Sequence, residues 1–249
     1  MDAGYTQADV TEFARAMTGW SVGALKDPDA GRFRFRENAH EPGPRLVMGR
    51  RYPEGGFDQA RLVMRDLAAS PHTARRLSRK LAVHFVSDDP PQSLVDRLEA
   101  SWRGSHGDLA VVAAALIDAP EAWSPRAVKF KTPYEFLVST WRATGSGPTD
   151  LLGLGPALTS MGQKPLSAPS PKGWPEEAAA WCDPNGVVKR MGWAEQYAAR
   201  AVGEQDPVQI AQAALGQRLT PLTAKTIARA ESRGEGLSIL LMSPEFQRR

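Results

Sequence analysis

With 249 residues, 42% of them hydrophobic and 24% charged, the chain has the composition of a soluble globular protein able to bury a sizeable core. The net charge of +3 is local: HTARRLSRK (72–80) carries four cations and leaves the remainder at −1, so the basic stripe of a nucleic-acid binder is missing. One cysteine, Cys182, excludes an intrachain disulfide and a cysteine-rich zinc site, and no run of about 18 apolar residues predicts a transmembrane helix.

The first residues, MDAGYTQADV, lack the apolar run of a secretory signal. The default compartment is therefore the cytoplasm, with export following if a further segment lies upstream. TQADVTEFARAMTGW (6–20) predicts a helix, with Thr6 as its cap and Val10, Phe13, Ala14 and Met17 at helical spacing before Gly19. Residues 21–56 abandon that period. They alternate apolar and charged at Phe33 and Phe35 and break at EPGP, which predicts two short strands or extended segments around a turn, an arm at about 31–50.

Helices resume at about 57–69 and again at Pro71, where Ser70 caps and the missing proline N–H costs nothing. This second helix puts Ala74, Leu77, Leu81 and His84 or Phe85 on one stripe, flanked by Arg75, Arg76, Arg79 and Lys80. SDDPPQ (87–92) separates it from a helix with Leu94, Val95, Leu98 and Trp102 on its apolar face. Asp108 caps LAVVAAALIDA, which is apolar nearly all round and is therefore expected at the centre of the core. Thr132 and Pro133 open another helix, and a further one is expected at about 149–161.

KPLSAPSPKGWPEEAAAWCDP (164–184) holds five prolines and two tryptophans. Large aromatics anchor by burial and prolines lower the entropy lost on ordering, so this is expected to be a shaped loop, with Gly173 turning the chain before Trp174. Helices at about 184–201, 206–215, 220–231 and 234–243 complete a mainly α chain, read as a single multi-helix domain. AVVAAALIDAPEAW and GLSILLMSPEFQ echo one another as an apolar helix, a Pro-Glu step and an aromatic anchor. Two copies do not make a repeat protein.

Chemistry is sparsely signalled. His40, His72, His84 and His106 form no ligand pair on one helix, so no metal or cofactor is named; a site assembled by folding would draw on His40, His84, Asp88 and Asp89. His84 is expected to end its helix facing partly into the core. His40 lies in NAHEPGPR, a proline-restricted segment with Arg45 close behind. It suits acid–base or anion chemistry, or else ties the arm in place. Arg75, Arg79 and Lys80 suit a phosphate or carboxylate, or else answer the acidic DDPPQSLVDRLE segment beside them. Lys172, Trp174 and Glu176 suit a ligand wall, or else a structural clasp. GLGPALTSMGQK lacks the spacing of a phosphate loop, and no nucleophile elbow occurs.

Six segments, YTQADVTEFARAMTGW, HEPGPRLVMGRRY, LAASPHTARRLSRKLAVHFVSDDPP, KFKTPYEFLVSTWRATG, PSPKGWPEEAAAW and LLMSPEFQRR, resemble in order and spacing the bacterial DUF1800 family, a family of unknown function. The resemblance implies a mainly helical fold and supplies no activity, cofactor or catalytic residue. It also implies a comparable helical stretch ahead of GYTQADV, so the chain is expected to correspond to the C-terminal half, with that upstream half as a partner and the apolar face of helix 6–18 left open. Arg45 stands where lysine is frequent, which keeps charge but changes hydrogen-bond geometry. Two readings follow: a non-enzymatic module that binds a protein or envelope partner, and a hydrolase-like enzyme with a pocket near His40, Arg79 and Trp174.

Overall fold

The computed structural model describes residues 3–147, 154–201 and 203–249. Among these residues the chain is mainly α, with eleven α-helices and two small antiparallel ribbons. Close approaches along the backbone divide it into two compact units. One comprises Met1–Leu81 with Pro91–Asp118, the other Ala82–Pro90 with Ala119–Arg249.

The first unit opens with α1 (Gln7–Ala16), whose cap is the expected Thr6 in a reciprocal capping box with Asp9. The extended region, residues 20–52, holds four strands in two ribbons rather than two strands around one turn. β1 (Trp20–Val22) pairs with β2 (Phe33–Phe35), and β3 (Arg45–Val47) pairs with β4 (Arg50–Tyr52); the expected arm at 31–50 covers β2 and β3 of these. Trp20 stacks on Phe57 at 5.3 Å and meets Phe33 edge-on at 5.1 Å, which fixes the first ribbon to the start of α2 (Phe57–Ala69). Val47, Tyr52 and Val63 form a small core under Phe13 and Leu67. α3 (Pro71–Phe85) begins at the expected proline. α4 (Gln92–Gly104) buries Leu94, Val95, Leu98 and Trp102, the face its spacing predicts.

α5 (Leu109–Ile117) corrects the sequence reading. Asp108 caps it, through bonds from the Ala110 and Val111 amides, but the helix is not central: it packs on α4 and buries Val112 and Leu116, while Leu109 is 64% and Ile117 59% exposed. All-round apolarity marks a helix that tolerates burial on every side; it does not supply the neighbours that would bury it.

The second unit is built on α6 (Pro133–Thr144), α7 (Leu154–Ser160), α8 (Pro184–Ala201), α9 (Pro207–Leu215), α10 (Pro221–Ala228) and α11 (Arg233–Met242). The first part of the helix expected at 149–161 lies outside the described residues. Side-chain oxygens of Thr132, Asp206, Thr220 and Ser232 accept from first-turn amides and so start four of these helices. The core runs through Phe136, Leu137, Ala194, Ile210, Leu237, Leu240, Leu241 and Phe246. Full burial of a side chain such as Phe136 contributes roughly 2–3 kcal/mol. The last residues return as an extended segment, with Phe130 bridged antiparallel to Arg248.

The helix-stop echo breaks here. Phe246 is 2% exposed and anchors the core as expected, whereas Trp123, after the first copy, is 69% exposed. The 164–184 segment is a shaped loop with one 3-10 turn at Ala178–Ala180. Gly173 sits at φ +92, and Trp181 is buried with its indole N–H donated to the Pro175 carbonyl at 3.0 Å.

Candidate binding groove and buried cation cluster

A cavity of about 350 Å³ opens in the first unit between α1, the β3–β4 turn, the end of α2 and the start of α3. Its position follows from two local devices. Asp9 closes the α1 capping box through the Thr6 amide at 2.7 Å, and its other carboxylate oxygen accepts from the Met48 amide at 2.6 Å. These contacts, the Thr6 amide first, hold the Asp9 carboxyl below its ordinary value. Met48 and Gly49 are the two residues between the strands, at φ +49 and +75, the left-handed pair that a tight type I′ hairpin requires. The turn therefore presents Met48 at the rim, against α1.

Val10, Phe13, Val47, Met48 and Leu67 give the cavity apolar walls, and Asp9, Ser70, His72 and Thr73 give it a polar edge. The expected α1 stripe does not close over: only Ala16 of the helix is buried, Val10 is 44% exposed, and Tyr5 and Met17 are also open.

His40 and Arg45 occupy the same unit as parts of one knotted loop. The His40 ring is almost wholly buried. Its Nδ1 lies 3.0 Å from the Thr18 carbonyl and its Nε2 3.2 Å from a Glu54 carboxylate oxygen. The Thr18 hydroxyl also lies 3.3 Å from Nδ1, so both ring nitrogens are surrounded by oxygens that hold the loop. Glu54 also accepts from the Gly56 and Gly43 amides; those two bonds lead the causes that bring its carboxyl down to about 2. Gly19, at φ +83, is required beside this loop, because a Cβ there would lie 2.7 Å from the Phe35 ring and 3.1 Å from the His40 Cβ. Arg45 is buried and donates to the Glu41 and Pro42 carbonyls of its own loop. Arg75, Arg79 and Lys80 lie on the exposed face of α3. Arg75 reaches Glu99 of α4 at 3.7 Å.

Lys172 and Trp174 belong to the second unit. Lys172 is exposed, while Trp174 is half-buried and tilted against Trp181 at 6.0 Å. Their loop is clasped by charge. Buried Lys129 donates to Asp88 at 2.5 Å and to the Glu176 carbonyl at 2.7 Å; Asp88 accepts from the Ala178 amide, and His84 meets the Glu176 carboxylate at 2.9 Å. Burial raises the Asp88 carboxyl, but the Ala178 amide and Lys129 outweigh it and the net shift is downward. His84 is half-buried at the end of α3, turned onto that carboxylate. Among the described residues no three His, Cys, Asp or Glu side chains converge as metal ligands, and no helix is long and apolar enough to cross a membrane.

Sequence reasoning passed over the most deeply placed charges. Arg190 is buried between the Phe130 and Phe136 rings and donates to Gln247 and to the Lys131 carbonyl at 3.0 and 2.7 Å; burial lowers it to about 10. Lys131 is 7% exposed, its ammonium 4.0 Å above the Phe246 ring. Burial, then Arg218, bring it to about 8 against the opposing pull of Glu135. The alternation KFK before a capped proline was the available signal: in an extended segment it sends both lysines to one side, Phe130 to the other. A second cavity, of about 470 Å³, lies in this unit against Trp193, Gln196, Tyr197 and Arg200.

Comparison with curated proteins and with solved structures finds no match to this chain. Residues 1–248 match the family described as protein of unknown function DUF1800. The mainly helical chain, with its capped helices and proline–tryptophan loop, thus belongs to the DUF1800 family.

Proposed function

We propose that this chain is a non-enzymatic binding module, and that the groove of the first unit receives apolar side chains from a segment of a partner protein. One observation carries the reading: a cavity of about 350 Å³ walled by Val10, Phe13, Met48 and Leu67 remains open, while the backbone around it is pinned by Asp9. A preformed apolar pocket with few polar groups at its edge is the usual form of a binding site, and a methionine at the rim adapts to varied side chains.

The hydrolase reading, with its pocket near His40, Arg79 and Trp174, draws less support. Both ring nitrogens of His40 are engaged in holding its loop, and the hydroxyl beside the ring, Thr18 Oγ1, is itself tied to the Arg15 carbonyl and the Glu41 amide rather than turned to a substrate cavity. Arg45 is likewise held within its own loop.

The test is selection of a displayed random-peptide library on the full chain, with counter-selection on Val10→Asp. Val10 lies on the exposed side of α1, so this variant keeps the fold. The enriched peptides should carry aromatic or aliphatic anchors and bind Val10→Asp at least about tenfold more weakly, the loss of one central apolar contact. Peptides that bind wild type and variant alike would overturn the assignment of the groove.

A further inference from the structure

The cavity of about 470 Å³ in the second unit is built largely from one helix face. Trp193, Gln196, Tyr197, Arg200 and Ala201 line it, recurring along α8 at i, i+3, i+4, i+7 and i+8, the period that gathers side chains on one side of a helix. The remaining wall is Ser146 and Gly147, the chain just past the end of α6. Gly145 turns that chain off the helix at φ +66, and the Tyr197 hydroxyl holds it by donating to the Ser146 carbonyl at 2.6 Å. The same hydroxyl lies 2.6 Å from Thr144 Oγ1, and the Gln205 side-chain amide donates to the Thr144 carbonyl at 3.3 Å. Both walls are thus fixed before any ligand arrives, which lowers the cost of binding.

The lining offers ring surface and three donors. Trp193 and Tyr197 are stacked at 4.9 Å with their planes 14° apart, and Trp193 meets the core ring of Phe136 edge-on at 5.5 Å. Among the described residues, none of the Trp193 indole N–H, the Gln196 side-chain amide and the Arg200 guanidinium donates to an acceptor, and none of them is sealed from solvent. Trp181, by contrast, gives its indole N–H to the Pro175 carbonyl. Arg200 lies in the last turn of α8, where the helix dipole favours a cation but supplies no counter-ion.

We propose that this cavity is a binding site for a small planar organic anion, with its carboxylate or phosphate on Arg200 and its ring against Trp193 and Tyr197. A guanidinium presents a planar fork that matches either oxyanion through charge-assisted bonds. The stacked pair gives a ligand ring an aromatic surface already locked in place by Phe136 and the Tyr197 hydroxyl bond. The indole N–H and the Gln196 amide are left to orient the ligand's other acceptors. A cavity of this size, with aromatic walls and a few convergent polar groups, has the usual make-up of a small-molecule site. The site belongs to the second unit and does not depend on the groove reading.

The experiment is an NMR titration of the full chain, labelled with nitrogen-15, at pH 7 and constant ionic strength. Three probes share one ring: 2-naphthoate, 2-naphthyl phosphate and the neutral 2-naphthamide. Of the seven tryptophan indole signals, that of Trp193 should show the largest saturable shift with at least one of the two anions. That anion should bind at least about tenfold more tightly than the amide, the worth of one charge-assisted contact, and the tighter anion identifies the group. Arg200 is exposed, so Arg200→Gln keeps the fold; it should remove the preference for the anion over the amide. No saturable shift at Trp193 with either anion would overturn the site. So would an amide bound as tightly as the anions, or an anion bound equally by Arg200→Gln and wild type.

Discussion

Replacing Lys131 by methionine should stabilise the protein at neutral pH, although it removes a side chain from the interior. The folded chain holds the Lys131 proton with a value of about 8, against 10.5 for the ordinary side chain. That interval amounts to roughly 3 kcal/mol of differential interaction. The unfolded chain binds the proton more tightly, so wild-type stability is lowest below pH 8 and rises as the pH climbs from about 8 toward 10.5; it is fully regained only above the unfolded value. Methionine fills a similar volume and carries no charge to desolvate, while the cation–π contact with Phe246 is forfeited at about 1 kcal/mol. The net expectation is a variant roughly 2 kcal/mol more stable than wild type at pH 7, with the advantage shrinking to near zero by pH 10.5. Urea denaturation of both proteins at pH 7, 8.5 and 10, followed by tryptophan fluorescence, measures this difference, and subtraction removes the titration of every other group. A variant less stable than wild type at pH 7, or a difference that does not change with pH, would refute the reasoning.

Asp88→Asn should be severely destabilising, by about 3 kcal/mol, because Lys129 is 2% exposed and would be left as a buried charge without its anion; thermal unfolding checks it, and combining it with Lys129→Met should recover part of the loss. Gly19→Ala should cost more than about 1 kcal/mol, since the new methyl meets the Phe35 ring and the Arg36 carbonyl at a backbone angle that alanine avoids, and denaturant unfolding reads the effect. Glu54 is ionised down to about pH 2, so its hold on the Gly43 and Gly56 amides should persist as the pH falls and fail only as it passes that value. A carboxyl NMR titration that finds Glu54 protonating near pH 4 would contradict this.

Local chemistry was the legible part of the chain. Thr6, Asp108 and Thr132 are caps in the sequence and caps in the structure, because a side-chain oxygen reaching an amide two or three residues on needs nothing from the rest of the fold. The proline–tryptophan loop was legible for a similar reason: Trp181 could not be kept out of a core at low cost.

What depended on distant partners was not legible. α5 has the composition of a central helix and lies at the surface of its unit, because burial is conferred by neighbours. Asp9 was readable as a helix-start residue, but its second bond, to Met48, crosses 39 positions. Lys131 looks like any lysine before a capped helix. Its surroundings come from residues 135, 190, 218, 246 and 249, which no spacing rule links. The paired motifs ending at Trp123 and Phe246 show the same limit: similar strings, one aromatic in the core and the other largely in solvent.

The most direct test of the binding-module account is a methyl NMR titration of the full chain, with the valine, leucine and methionine methyls labelled, against a peptide selected on it. The account expects saturable shifts at Val10, Val47, Met48 and Leu67, lining the groove, and none of comparable size at Val187 or Val188 of the second unit. Shifts that spare the groove methyls while the peptide binds would contradict it.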